Sequence, residues 1–169
     1  MPADDTTFKN AMRLLASGVT IVATKCDGVR SGLTATAVCS LALSPPRILA
    51  SVNMSGQTYG LLAKSRCMSV NLLSEHHANL AQRFAQRRAH LDEDRFATGE
   101  WRERVTGAPL LADALAALDC RITEIVPLDT HAILIGTIEH IHFGPHHAPL
   151  INFDGGYTSV PRVHKETLS

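Results

Sequence analysis

The apolar positions of this chain fall into short runs separated by turn residues, with helical spacing in only a few places. Phe8, Met12 and Leu15 recur at helical spacing between Asp5 and Ser17, with Asp4 or Asp5 as N-cap and Gly18 as the stop. Val19 to Thr24 is a β-rich run, and Asp27-Gly28 predicts a hairpin turn whose return strand carries Gly32 to Ala37. Pro45-Pro46 interrupts, then Arg47 to Asn53 reads as a buried strand. Ser55 is expected to cap a short helix holding Leu61 and Leu62, and Met68 to Leu73 reads as another apolar strand. Ser74 is expected to cap a second helix in which Leu80 and Phe84 share a face. Gln86 to Thr106 is polar and reads as an excursion around the single Trp101. Ala117 to Val126 and His131 to Phe143 are strand candidates, and Asp154-Gly155-Gly156 makes a last turn before Tyr157.

About six strands with three short helices predict a mainly β chain, a barrel with helical additions. The helices are too few and too irregularly placed for βαβ units, so a doubly wound sheet is the second choice. No repeat or linker divides the 169 residues, which are expected to form one domain with its core from about residue 8 to 160.

Composition narrows the classes of partner. Lys+Arg and Asp+Glu number 16 each, so the basic excess that accompanies phosphate-backbone binding is lacking, and no nucleic-acid partner is expected. No apolar run is long enough to predict a membrane span, and the acidic N-terminus does not read as a signal segment. Cys26, Cys39, Cys67 and Cys120 are widely spaced and form no CxxC pair. These features predict a reduced, cytoplasmic protein.

Neither GxGxxG nor GxxxxGK[ST] occurs, so any nucleotide must bind without a glycine-rich strand-to-helix turn. Gly32-Leu-Thr-Ala-Thr-Ala-Val-Cys-Ser40 combines small side chains with the hydroxyls of Thr34, Thr36 and Ser40. Such a run admits a flat ligand with polar edges, or simply packs under a neighbouring strand. Asn53-Met-Ser-Gly-Gln-Thr-Tyr59 leaves a strand and opens a helix, where free amides with Ser55 and Thr58 suit a phosphate, or Ser55 merely caps. Arg83, Arg87 and Arg88 either add charge to such a phosphate or form a solvated face. His140 and His142 share one side of a strand near His146-His147, which makes metal binding conceivable, but Glu139 faces the other way and no metal is expected. His131 heads the apolar strand Ala132-Ile-Leu-Ile135 and either orients a bound carboxamide or is a turn histidine.

Taken in order, these segments resemble the short-chain flavin reductase family, the reductase components of two-component flavin monooxygenases. The resemblance runs from about Phe8 to Tyr157. It is carried by Ser17 to Thr24, Gly32 to Ser40 with Ser44-Pro-Pro46, Ser69-Val-Asn-Leu-Leu73, Gly107-Ala-Pro-Leu-Leu111, Leu118-Asp-Cys120, His131 with Ile135-Gly136, and Pro149-Leu150 leading to Tyr157. It implies a homodimeric split β-barrel that binds FMN or FAD. Thr34, Ala35, Thr36, Ala37 and Ser40 would then line the isoalloxazine edge, and Asn53, Ser55 and Thr58 would reach the ribityl chain and phosphate. Asn71 and Leu72 would border the flavin, His131 would meet the nicotinamide, and Tyr157 would be the C-terminal aromatic.

Two positions depart from the family pattern. Thr130 stands where an acidic residue often precedes the histidine, and Asp154-Gly155-Gly156 stands where arginines often precede the tyrosine. Both lie on the nicotinamide side, and Asp154 in place of a cation tilts the expectation to NADH over NADPH. The implied reaction is hydride transfer from the nicotinamide to the flavin, with amides near residues 35 to 37 stabilising the reduced ring and a monooxygenase as the implied consumer. The alternatives are an electron carrier of the same fold, reduction of a bound acceptor such as a corrin cobalt, and a histidine-based metal-binding protein.

Overall fold

In a computed structural model, residues 1–86 and 94–161 are described. The strands in chain order are β1 (Ser17–Gly18), β2 (Thr20–Cys26), β3 (Val29–Ala35), β4 (Val38–Leu43), β5 (Pro46–Asn53), β6 (Cys67–Leu72), β7 (Trp101–Arg102), β8 (Leu110–Leu111), β9 (Ala116–Leu128), β10 (His131–Phe143), β11 (Leu150–Phe153) and β12 (Gly156–Ser159). Three helices interrupt them: α1 (Asp5–Arg13), α2 (Gln57–Ser65) and α3 (Ala78–Ala85). The chain is therefore mainly β with short helices. Every described strand pair is antiparallel, which removes the doubly wound alternative.

Seven strands form the main sheet in the order β3-β2-β6-β9-β10-β5-β4. Its two edges, β3 and β4, are consecutive in the chain and joined only through Thr36 and Ala37. Two residues span only about 7 Å, so the sheet must curl until its edges nearly meet. The Ser51 amide donates to the Ala37 carbonyl at 2.9 Å, extending the β4–β5 ladder by one residue into this connection. Beyond that point β3 has no partner strand on its outer side among the described residues, and the curled sheet remains split there.

The β2–β3 hairpin shows why this edge faces outward as it does. Asp27 and Gly28 adopt φ of 50° and 81°, the left-handed pair that a two-residue turn requires. That turn makes Cys26 and Val29 a hydrogen-bonded pair, and the alternation then runs down the register through Thr24↔Ser31, Val22↔Leu33 and Thr20↔Ala35. The intervening residues Arg30, Gly32 and Thr34 must turn their N–H and C=O groups away from β2.

The two faces of the sheet bury separate clusters. Inside the curl lie Val22, Ile48, Ala50, Val52, Leu62, Met68, Val70, Leu118 and Leu134. Outside, α3 lays Leu80, Ala81 and Phe84 over Ile21 and Ala23, with Phe96, Leu110 and Leu111. β2 is buried on both faces because its successive side chains serve both clusters. The segment from Gln86 to Thr106 is more than a polar excursion. Its described part returns Phe96 and Trp101 to within 5.1 and 5.6 Å of the Phe84 ring, closing the outer cluster.

Three local expectations change. Gly56, not Ser55, is the N-cap of α2, and no side chain caps it. Ser74 heads a single turn at Glu75–His77, where its amide donates to His77 Nδ1 at 3.0 Å, and α3 begins only after that turn. Helix α1 is capped by Asp4 as expected but ends at Arg13, short of Ser17, and buries no residue, leaving Phe8 and Met12 exposed, with Leu15 exposed just beyond its end.

Candidate active site

The split edge opens into a cleft of about 1250 Å³. One wall is β3 and the connection from Arg30 to Ala37, the other is the end of β5 at Ser51 to Asn53 with His131 beside it. The N-terminus of α2 closes one end with Ser55, Gly56, Gln57 and Thr58, and Phe84, Gln86, Arg95 and Phe96 close the other.

At the wall formed by β3, the Thr34 N–H and C=O point into this space, and no described residue pairs with them. The hydroxyl of Thr34 is not free, because it donates to the Ala81 carbonyl at 2.6 Å and anchors β3 to α3. Thr34 therefore offers its backbone, and Ala35 and Ala37 add no bulk beside it. Gly32 sits where a Cβ would lie 2.9 Å from the Phe84 ring, so only glycine allows this approach of strand and helix.

At the α2 end, Asn53 Oδ1 accepts from the Ser55 amide at 2.8 Å and from its hydroxyl at 2.6 Å, fixing the loop before the helix. With no side-chain cap at Gly56, the first amides of α2 are left for a ligand or water. Thr58 is buried, its hydroxyl 2.8 Å from that of Ser31 and 3.4 Å from the Gly32 carbonyl. It braces α2 against β3.

His131 is exposed at the head of β10, with Nδ1 2.8 Å from the Thr130 hydroxyl. It lines the main cleft and also a second, mostly apolar recess of about 370 Å³ with Cys39, Leu49, Leu128 and Ile133. Charge near the cleft comes from Arg30 and Arg95. Arg30 pairs with Asp94 at 3.1 Å and lies 4.7 Å over the Phe96 ring, while partial burial holds Arg95 below the usual arginine pKa.

Of the residues singled out in the sequence, the cleft thus gathers Thr34, Ala35, Thr36, Ala37, Asn53, Ser55, Thr58 and His131. Four lie elsewhere. Ser40 is exposed on β4 and does not line the cleft. Asn71 is fully buried: its amide donates to the Ile21 carbonyl and Ser69 Oγ at 3.0 Å each, and its oxygen accepts from the Leu111 amide at 2.8 Å. Leu72 packs against the inner cluster, and Tyr157 packs on the outer one, where burial raises its hydroxyl pKa. Asp154 pairs with Arg13 at 3.5 Å on the β11–β12 turn and does not line the cleft. Arg83 donates to the Asp94 carbonyl at 3.2 Å, and Arg87 and Arg88 lie outside the described residues. His142 Nε2 donates to the Ala112 carbonyl at 2.9 Å, and His76 stacks edge-on with His147 at 4.5 Å. Among the described residues no group of three or more His, Cys, Asp or Glu side chains is placed to hold a metal ion, and no helix is long and apolar enough to cross a membrane.

Arg30, Gly32, Ser51, Gln57, Phe84 and Arg95 also line the cleft, beyond the residues that the sequence singles out. The hairpin register carries a signal for Arg30 and Gly32, since they share the outward phase of Thr34. Nothing local in the sequence points to Arg95.

The chain belongs to the flavin reductase like domain family, whose model matches residues 12–161. It is similar to an FMN reductase (NADH), RutF 1, of Methylorubrum extorquens, with 37% identity over 163 residues that cover 96% of this chain and 80% of the relative. The FMN reductase (NADH) RutF of an Enterobacter species is 38% identical over 94% of this chain and 96% of its own length. Among solved structures, the flavin reductase PheA2 superposes with a TM-score of 0.83 at 30% identity, covering 95% of this chain and all (100%) of that one. BorF, the flavin reductase component of a bacterial two-component tryptophan halogenase, gives a TM-score of 0.86 at 25% identity, with 95% and 100% coverage.

Proposed function

We propose that this chain is an NADH-dependent flavin reductase whose flavin acceptor is FMN, and that the reduced flavin serves a partner oxygenase. The carrying observation is the unpaired Thr34 N–H and C=O on the split edge, flanked by residues too small to block a planar ring. A donor and an acceptor side by side on a fixed strand match the alternating acceptors and donor on the pyrimidine edge of an isoalloxazine. The uncapped amides of α2 suit the phosphate at the other end of the same ligand. The choice of NADH and FMN is supported by the relatives from Methylorubrum and Enterobacter, and the oxygenase partner by the role of BorF.

Bound flavin supplies the two-electron acceptor for a hydride from NADH, with a solvent proton completing the reduction. The protein's part is placement. Thr34 holds the polar edge, Ala35 and Ala37 leave room for the ring, and Asn53 fixes the Ser55 loop that presents the α2 amides. His131 lines the cleft with its ring held by the Thr130 hydroxyl, and it would hydrogen-bond the carboxamide of an incoming nicotinamide. No side-chain acid or base is required for the hydride step, and none is paired for one among the described residues of the cleft.

We further propose a homodimer. Its support is the apolar surface made by Phe8 and Met12 on α1 with Leu15 just after it, all exposed in the single chain.

Steady-state oxidation of NADH and NADPH against FMN, FAD and riboflavin tests the reading. Turnover fastest with NADH and FMN is expected. Absence of turnover with every pair, in protein that nonetheless binds flavin, would leave a carrier instead.

A further inference from the structure

Arg95 places its guanidinium where three backbone carbonyls converge. Nη1 donates to the Gly32 carbonyl at 3.1 Å and to the Phe84 carbonyl at 3.4 Å, and Nη2 donates to the Gln86 carbonyl. The last two close the C-terminal end of α3, where a cation is favoured by the orphan carbonyls. The first is the outward carbonyl of edge strand β3, two residues before Thr34.

Gly32 has no side chain with which to hold itself, and the Phe84 ring leaves no space for one. A glycine on an unpaired edge has the most backbone freedom of any residue, so hydrogen bonds must fix it. Thr58 contributes only a long contact of 3.4 Å. Arg95 supplies the shorter one and ties the strand edge to the end of α3. A planar fork of donors suits three acceptors fanned around it, which the single ammonium of lysine does not match.

We infer that Arg95 is a positioning residue for flavin: by clamping the Gly32 carbonyl to the end of α3, it fixes the Thr34 N–H and C=O in the cleft without itself holding the flavin phosphate. This rests on the flavin reading of the cleft given above. It separates Arg95 from a phosphate-binding arginine, because a clamp on the ring edge acts equally on flavins with and without a phosphate.

The test uses the full chain as parent, Arg95→Ala and Arg95→Lys, titrated with FMN and with riboflavin by fluorescence quenching and assayed for NADH oxidation. Both variants are expected to weaken FMN and riboflavin by the same factor, about tenfold for a charged hydrogen-bond donor. At saturating flavin, kcat should stay within about twofold of the parent, since the clamp acts on binding rather than on the hydride step. Added methylguanidinium should restore flavin affinity to Arg95→Ala, which a general loss of stability would not allow. A loss confined to FMN would overturn the inference by making Arg95 a phosphate ligand. Unchanged affinity for both flavins would overturn it by showing that β3 holds its own edge. Where Arg95→Ala does not fold, Arg95→Lys carries the comparison, because its side chain fills the space and satisfies one carbonyl. A parent that binds neither flavin would defeat the functional reading itself, and the role of Arg95 with it.

Discussion

His131 lies directly opposite Asn53 across the β5–β10 pair, which puts the imidazole and the loop leading into α2 on the same rim of the cleft. β3 and the start of α2 line the cleft from one side, while His131 reaches it from β10. Replacing His131 with alanine should slow flavin reduction by NADH far more than it changes flavin affinity. Loss of one hydrogen bond to the carboxamide, about 1 to 3 kcal/mol, corresponds to roughly a five- to 150-fold fall in kcat/KM for NADH. Stopped-flow reduction beside flavin titration separates the two effects. A variant that reduces flavin at the parent rate would leave His131 as a turn residue.

The outward phase of β3 gives a prediction specific to one amide. Proline is tolerated on an edge strand when its missing N–H would face away from the neighbouring strand. Thr34→Pro should therefore fold but weaken FMN by about three- to tenfold, the worth of one backbone hydrogen bond. Thr34→Ala keeps the amide and loses only the bond to the Ala81 carbonyl, so it should bind FMN as the parent does while melting lower. Isothermal titration with both variants checks this, and equal binding by the proline and alanine variants would remove the Thr34 amide from the site.

Much of this fold is legible in the sequence but less of its site, for identifiable reasons. Asp27-Gly28 fixes a hairpin through local backbone preference alone, and that hairpin dictates which amides of β3 face outward. Whether β3 ends up as an edge is decided by strand order, which no local pattern encodes, so the outward phase shared by Arg30, Gly32 and Thr34 does not by itself mark a site. Asn71 enters only through the resemblance, as part of the strand expected to border the flavin. In the fold its three side-chain bonds all satisfy neighbouring groups, mostly backbone, inside the core. Ser40 lies away from the cleft because the small-residue run breaks at Thr36-Ala37 and continues as β4 on the opposite edge. Arg95 acts through carbonyls contributed by β3 and by α3 with the residue after it, a meeting that only the folded chain reveals.

Burial, with the neighbouring Asp119 charge next in effect, pushes the Cys120 thiol from an ordinary 9.0 up to about 12. Below pH 9 the thiol is neutral in both folded and unfolded chains and contributes no pH dependence. Above it, the unfolded chain releases a proton that the folded one retains until about pH 12, so stability falls as pH rises across that window. Melting temperatures of the parent should decline more steeply there than those of Cys120→Ala, which starts lower because of its cavity. Parallel slopes would contradict the buried neutral thiol.

The unpartnered face of α1 predicts a dimer at micromolar concentration by light scattering. Phe8→Glu combined with Met12→Glu should shift the protein toward monomer, because both side chains are exposed in the single chain and the change adds no buried charge within it. A parent that is monomeric and fully active would refute the dimer.

If the split edge of β3 holds a flavin in position to receive a hydride from NADH, the flavin should lose its oxidised absorbance on the enzyme. Anaerobic stopped-flow mixing of the protein and FMN with NADH reads this as bleaching of oxidised flavin. Rapid bleaching is expected, saturating with NADH and slowing in Thr34→Pro when flavin is below saturation. Bleaching no faster than in protein-free solution would contradict that role for the cleft.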